Sequence, residues 1–377
     1  MRSLSVSDIK QLLQTFPAGL AELGRMVREG VSPAMKRVER RLTRCIEAIN
    51  SHDQYVDRES SHTDCDPAPF LWITGEKGVG KQELIRRIHE GCSERGYILE
   101  QDCESVDQQQ IEAELFGHQA EGSQKETREG KLWDAGAGIL AIYDPENMSK
   151  GCQSRLLERK TRPLRRSRDG QDEDPDPLPI LVAARERPEE LVQRGAVLPG
   201  LVTTPLTIHI PPLRERPEDV TLFIEYFLRA KVLELTGWEF SLERNFQDEA
   251  LFLLVNFYWP DNMLALQEVV ALLVGAVLFK DHDHRITVSE AIEALKRRYQ
   301  NPDILKLLAP LFRRQSKKRS RNKDDVWLDE LKLLRRLMDM KYDLEELAEL
   351  LGISPSALWK RFSKAGLGGF TRGRRPS

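Results

Sequence analysis

Apolar residues recur at helical spacing from the start of the chain: Leu4, Ile9, Leu12, Leu13, Phe16, then Leu20, Leu23 and Met26. That period puts them on one face of a helical hairpin or lead-in segment. A second helical stretch opens at Ser32-Pro33-Ala34-Met35. Ser32 suits the N-cap, and Pro33 suits the first helical position, where its missing N–H breaks no bond. Met35, Val38, Leu42, Ile46 and Ile49 continue its apolar stripe, and the polar residues 51–67 read as a surface loop.

The period changes at Phe70. Phe70–Thr74 is an apolar run that ends in Gly75, and an amphipathic segment, Gln82–Glu90, follows a glycine-rich turn. Further short runs occur at Tyr97–Gln101, Gly138–Tyr143, Ile180–Ala184 and Leu206–Ile210, with helical patterns over 107–116 and 149–161 between them. Strands alternating with helices at this spacing predict a parallel sheet covered on both faces. Residues 119–131 are polar and read as a loop or hairpin tip. Residues 162–179 switch from basic to acidic, are rich in proline, and are expected to protrude as a loop.

From Arg216 the pattern is helical: 219–234, 247–256, a turn at Tyr258-Trp-Pro-Asp-Asn262 leading into a helix through Phe279, and 289–299. A compact three-helix pattern closes the chain. Trp327–Met340 is its first helix, Asp343 caps the second over Leu344–Leu351, and Ser354 caps the third after the tight turn Gly352-Ile353-Ser354. The expected organisation is an N-terminal helical segment (1–28), an α/β core (29–214), a helical subdomain (215–302), a basic linker (303–324) and a three-helix domain (325–377).

Composition narrows the class. With 377 residues, 40% hydrophobic and 31% charged, the chain has material for two or three soluble domains. No apolar run approaches a membrane span, and the N-terminus lacks the features of a signal peptide, so a cytoplasmic, nucleoid-associated protein with no membrane partner is expected. The five cysteines, Cys45, Cys65, Cys92, Cys103 and Cys152, form no C-x-x-C pair and read as reduced thiols. The net charge of −3 conceals an asymmetry: between Arg313 and Lys323 seven of eleven residues are basic and none is acidic. A polyanionic partner for the C-terminal end follows.

The chemistry starts at Gly75-Glu76-Lys77-Gly78-Val79-Gly80-Lys81, which has the G-x-x-x-x-G-K spacing of a phosphate-cradling loop. Glycines allow backbone N–H groups to converge on phosphate oxygens, the helix end adds its dipole, and Lys81 supplies a point charge. Gln82 stands where a hydroxyl usually meets magnesium. The alternative is a glycine-rich turn with no ligand. At the other end, the third tail helix presents Ser354, Ser356, Trp359, Lys360, Arg361 and Lys364. Lysine and arginine can meet phosphates or guanine edges, and Trp359 can lie along sugars or a thymine methyl. The basic linker and Arg372, Arg374 and Arg375 favour double-stranded DNA over a merely solvated helical face.

Several segments carry a family resemblance: VSPAMKRVERRL (31–42), ITGEKGVGK (73–81), ELFGH (114–118), SRLLE (154–158), IPPLRERPEDV (210–220), WPDNMLALQE (259–268) and LEELAELLGISPSALWKRFSKAGL (344–367). In this order they resemble the sigma-54-dependent enhancer-binding proteins, bacterial AAA+ transcriptional activators with a Fis-type helix-turn-helix. The resemblance covers roughly residues 30–367. It implies an AAA+ P-loop core, an α-helical lid and a DNA-binding tail. In the family, ATP hydrolysis remodels the sigma-54 polymerase.

The positions that do that work are altered. Where the family's Walker B motif reads L-F-L-D-E, this chain reads Leu140-Ala-Ile-Tyr143-Asp144. Tyr143 replaces the metal-side Asp, and Asp144 replaces the water-polarising Glu. A slip of register would make Asp144 the metal ligand, with Pro145 at the base position and Glu146 as a substitute base. The sigma-contacting G-A-F-T-G-A loop becomes Gly122-Ser-Gln-Lys-Glu, and the first sensor position becomes Arg185. The arginine-finger region becomes Ala196–Val202, with no arginine, and the second sensor arginine becomes Leu264. Arg214 and Arg216 survive, and their simpler role is to fix the core–lid junction.

The resulting expectation is a DNA-binding transcriptional regulator with a degenerate AAA+ scaffold that self-associates, contacts no sigma-54 and carries no catalytic residue or built metal site. ATP or ADP would be a weak or structural ligand, with magnesium only as the nucleotide brings it. The alternatives are an adaptor co-assembling with an intact AAA+ family member, and an active sigma-54 activator. The thirty residues before the core are too few for a sensor domain, so control is expected through expression, a partner or nucleotide.

Overall fold

The computed structural model describes residues 3–58, 70–92, 96–117, 130–134, 138–161, 166–168, 171–173, 179–202, 206–278, 280, 284–301, 303–313, 323–340 and 342–367. In chain order the first elements are α1 (Val6–Leu13), α2 (Leu20–Glu29), α3 (Pro33–Arg58), β1 (Phe70–Thr74), α4 (Lys81–Gly91), β2 (Ile98–Asp102), α5 (Gln108–Phe116), α6 (Lys131–Asp134), β3 (Ile139–Tyr143) and α7 (Lys150–Thr161). Next come β4 (Arg166–Arg168), β5 (Gln171–Glu173), β6 (Ile180–Ala184), α8 (Pro188–Gln193) and β7 (Thr207–His209). The rest is helical: α9 (Pro217–Thr236), α10 (Leu242–Asn245), α11 (Asp248–Asn256), α12 (Asn262–Leu278), α13 (Val288–Tyr299), α14 (Ile304–Arg313), α15 (Lys323–Asp339), α16 (Leu344–Leu351) and α17 (Pro355–Lys364).

The chain divides into two compact units, residues 37–211 and residues 1–36 with 212–377. The first is the α/β unit. Its five-stranded sheet has the order β2-β3-β6-β1-β7, and every pairing is parallel. All residues of β1 and β6 are buried, as their unbroken apolar runs require of strands covered on both faces. A core of Phe70, Trp72, Ile111, Leu115, Leu140, Ile142, Leu156, Val182 and Leu191 packs on one side. A parallel sheet aligns the carboxyl ends of its strands, so the turns after β1, β3 and β6 emerge along one edge. The expected protruding loop at 162–179 contains a short antiparallel hairpin, β4 with β5.

The second unit is helical and includes both ends of the chain. Ser5 and Asp8 form a capping box on α1, and Ile9 on that helix is fully buried. The Leu4 amide donates to Asn256 Oδ1 at 2.8 Å, and Asn256 Nδ2 donates back to the Leu4 carbonyl at 3.0 Å. Two residues on, the Val6 amide donates to Asp329 Oδ2 of α15 at 2.8 Å. The N-terminal segment therefore packs with α11 and α15 in one hydrophobic core that runs from Leu4 to Phe362. A linker starting at residue 303 does not describe this chain, because Ile304–Arg313 is the helix α14. Leu308, Leu311 and Phe312 bury its apolar stripe despite Pro310 within it. Burial of that stripe outweighs the proline's lost hydrogen bond.

The PPLRER segment enters this unit through a buried polar knot. Asp219 is fully buried and accepts from the amides of Val31 at 2.6 Å and Ser32 at 2.8 Å, and from Ser32 Oγ at 2.6 Å. Ser32 Oγ also caps α3, accepting from the Met35 amide at 3.1 Å. Arg216 is buried beside Asp219, 4.0 Å away, and the Leu213 amide donates to Asn262 Oδ1 at 2.8 Å. Arg214 stacks on the Tyr258 ring at 4.9 Å. Both arginines are thus fastened to their own unit.

Candidate functional site

The glycine loop joins β1 to α4, as its sequence demands. Gly75, Gly78 and Gly80 have φ of +149°, +76° and +106°. A Cβ on Gly75 would stand 2.7 Å from the Ile210 carbonyl oxygen. Val79 is buried and anchors the loop, while Glu76 is half-buried and Lys77 exposed. Lys81 Nζ donates to the loop's own carbonyls, Gly75 at 2.7 Å and Glu76 at 3.2 Å. Burial lowers its proton affinity, with Asp144 acting in the opposite sense. A phosphate entering the loop would exchange those carbonyl bonds for bonds to its own oxygens.

The metal-side corner holds different chemistry. Gln82 Nε2 lies 3.4 Å from both carboxylate oxygens of Glu100, and Tyr143 Oη donates to Glu100 Oε1 at 3.1 Å. Burial and the Glu100 charge push the Tyr143 phenol well above its ordinary range, so it stays neutral. Asp144 follows in a left-handed conformation, φ +50°, with its side chain beside Arg185, whose Nε is 3.4 Å from Asp144 Oδ1. Arg185 also pairs with Glu104. Burial raises the proton affinity of both Asp144 and Glu146 above the usual carboxylate range, and Arg185 opposes the shift at Asp144. Among the described residues no group of three or more His, Cys, Asp or Glu side chains is arranged to hold a metal ion.

The segment at the finger position is core. Val197 and Leu201 are buried, and Gln153 Nε2 donates to the Ala196 carbonyl at 2.9 Å while its Oε1 accepts from the Leu198 amide at 2.8 Å. Leu264 is exposed on α12 in the helical unit. Glu100 and Glu104 are the residues that sequence reasoning missed. Neither belongs to a motif, and only the pairing of β2 with β3, which sets Glu100 opposite Ala141, brings them to the site. The stretch 122–126 lies outside the described residues.

At the C-terminal end, Asp343 and Glu346 form a capping box on α16, and Gly352 turns the chain with φ +67°. Ser354 Oγ accepts from the Ala357 amide at 3.2 Å and so caps α17. Leu358 and Phe362 are buried, while Ser354, Ser356, Trp359, Lys360 and Lys364 are exposed on the opposite face. Arg361 is only half exposed, and its charge bears on Glu330, a buried carboxyl on α15. Part of its role is therefore internal, which departs from a purely outward-facing residue. Residues 314–322 of the basic linker and Arg372, Arg374 and Arg375 lie outside the described residues, as does Cys65. Cys45, Cys92, Cys103 and Cys152 are free and buried. Burial pushes the thiols of Cys45 and Cys152 up to about 11 and that of Cys103 to about 12. No helix among the described residues is long and apolar enough to cross a membrane.

Comparison with known proteins fits the motifs quoted above. The sigma-54 interaction domain model matches residues 51–201. The alginate biosynthesis transcriptional regulatory protein AlgB of Pseudomonas putida is 33% identical over 214 residues, covering 53% of this chain and 45% of AlgB. The transcriptional regulatory protein ZraR of Salmonella typhimurium is 30% identical over 215 residues, 54% of this chain and 47% of its own. The phenol regulator MopR of Acinetobacter guillouiae is 28% identical over 311 residues, 78% of this chain and 52% of MopR. The chain spans about half the length of these relatives. Among solved structures, NtrX from Brucella abortus in complex with ATP superposes with a TM-score of 0.53 at 20% identity, covering 92% of this chain and 72% of NtrX. NtrX has also been solved in complex with ADP, with a TM-score of 0.51 and 19% identity. At that identity the likeness concerns the fold alone.

Proposed function

We propose that this protein is a sequence-specific DNA-binding transcriptional regulator whose sigma-54 interaction domain has lost ATP hydrolysis and works as a scaffold for self-association. The observation that carries this reading is the replacement at the end of β3. Tyr143, hydrogen-bonded to Glu100, stands at the metal-side position, and Asp144, paired with Arg185, stands at the water-activating one. Hydrolysis requires a cation on the outer phosphates, an oriented water and charge-stabilising arginines, and an arginine finger alone is worth about three to five powers of ten in rate. The exposed Trp359, Lys360 and Lys364 on α17 supply the surface for DNA, and the regulatory names of the relatives agree with that role.

The glycine loop and Lys81 would bind ATP or ADP as a regulatory or structural ligand in this reading. Two measurements test it. A gel shift on DNA upstream of candidate genes should show a specific complex that substitution of Trp359 and Lys360 abolishes. ATP turnover should be no faster than that of the Lys81→Ala variant. Lys81-dependent turnover would restore the activator reading. Absence of any specific DNA complex would leave an adaptor that assembles with an intact AAA+ protein.

A further inference from the structure

The loop and the corner beside it differ in what they offer a phosphate chain. On the cradle side, three glycines take positive φ, as a loop that turns its backbone N–H groups onto a phosphate requires, and Lys81 supplies a charge. On the corner where a divalent cation would sit, the side chains are a carboxamide and a phenol, both directed at Glu100. Magnesium demands a near-octahedral shell of oxygen ligands and is held in such sites by a hydroxyl and a carboxylate beside the phosphates. Here a carboxamide, Gln82, stands at the hydroxyl's position and a neutral phenol, Tyr143, at the carboxylate's. Glu100 lies on the surface and already accepts from Tyr143. Asp144 Oδ1 has Arg185 Nε as its ion-pair partner at 3.4 Å, so a guanidinium already stands beside the one carboxylate at the end of β3. These residues do not fit the ion that the fold family implies.

A second cation is nonetheless present. Arg185 follows β6 at the same sheet edge, and its charge bears on Lys81. Its side chain is 41% exposed, and it is held by ion pairs to Glu104 and Asp144. The pair with Glu104 is exposed on both sides and therefore weak, so a phosphate can compete for the guanidinium. Guanidinium presents a planar fork of donors that matches two phosphate oxygens, and it needs no coordination shell.

We propose that the loop binds the phosphate chain of a nucleoside di- or triphosphate without a divalent cation, with Arg185 and Lys81 neutralising the charge that magnesium would otherwise carry. This rests on the reading that the loop is a nucleotide site, and it makes that site insensitive to metal availability. No bond is made or broken, so the bound nucleotide is a ligand whose occupancy follows nucleotide concentration alone.

The test is titration of the full-length protein with ADP and with ATP by calorimetry, once in excess magnesium chloride and once in excess EDTA. The expected result is that affinity in EDTA stays within about threefold of that in magnesium. Arg185→Ala should weaken binding in EDTA by about tenfold or more, the range of a lost charge-assisted contact, with Arg185→Lys recovering part of it. The double variant Gln82→Thr/Tyr143→Asp, which supplies a hydroxyl and a carboxylate, should acquire magnesium dependence. Binding that falls tenfold or more in EDTA overturns the inference and leaves the nucleotide site standing. Unchanged affinity in Arg185→Ala overturns the role given to that residue. No heat and no saturation in either condition overturns the nucleotide reading and the inference together.

Discussion

Gly75 shows how one atom fixes the loop. Its φ of +149° and the Ile210 carbonyl 2.7 Å from any added Cβ leave no room for a side chain. Gly75→Ala should destabilise the α/β unit by about 2 kcal/mol or more, read as a lower denaturation midpoint. Glu330 is the second informative residue. Burial on α15 pushes its carboxyl up to about 8, with Arg361 acting against the shift. Between the ordinary carboxylate range and about 8 the folded protein holds a proton that the unfolded chain has released. Stability then falls as pH rises through that window, because the native state binds more protons there. Melting temperature should decline from about pH 5 to about pH 8 in the parent protein. The decline should flatten in Glu330→Gln, and an equal slope in both would remove Glu330 as its source.

Among the elements, α1 carries more than its length suggests. Leu4 and Val6 bond to α11 and α15 through Asn256 and Asp329, and Ile9 is fully buried among α9, α11 and their neighbours. Ile9→Ala should destabilise the helical unit by about 2–5 kcal/mol, the range for deleting a buried aliphatic side chain. Hydrogen exchange is the discriminating readout. Amides of α15 should lose protection along with those of α11, whereas loss confined to α1 itself would mean that the two helices do not depend on it. The apolar face of α14 illustrates the opposite lesson about local signals. The basic run from Arg313 marks a linker, yet just before it Leu308, Leu311 and Phe312 find a core and the helix forms despite Pro310.

Across the whole molecule, the two units separate two kinds of chemistry, a phosphate cradle and an exposed basic helix face. In the proposed role DNA binds through that face, and such binding is governed by release of counterions from phosphates. Affinity should therefore fall steeply with salt. Each of Lys360→Ala and Lys364→Ala should lower the slope of log affinity against log salt by about one if it meets a phosphate. A variant whose slope matches the parent's would place its lysine off the DNA. Trp359→Ala should leave the slope unchanged while weakening the complex, because an aromatic contact releases no counterion.

The sequence by itself determined the repeating elements and the replacements in them. Five-residue apolar runs bounded by turn residues and alternating with helical patterns fit strands covered on both faces, and Gly, Ser, Asp and Pro at turns act within a few residues of themselves. That is why β6 and α16 fall where their patterns put them, whereas Tyr143, Asp144, Arg185 and Leu264 stand out as altered positions only against the family resemblance. Only the tertiary structure decided what those replacements do to one another. Glu100 meets Gln82 and Tyr143, and Glu104 meets Arg185, because β2 lies beside β3 and β3 beside β6 in the sheet. The clasp from Leu4 to Asn256 spans 252 positions and that from Val6 to Asp329 spans 323. Pairings at such separation leave no periodic trace in the chain, since their partners are chosen by packing and not by neighbours in sequence.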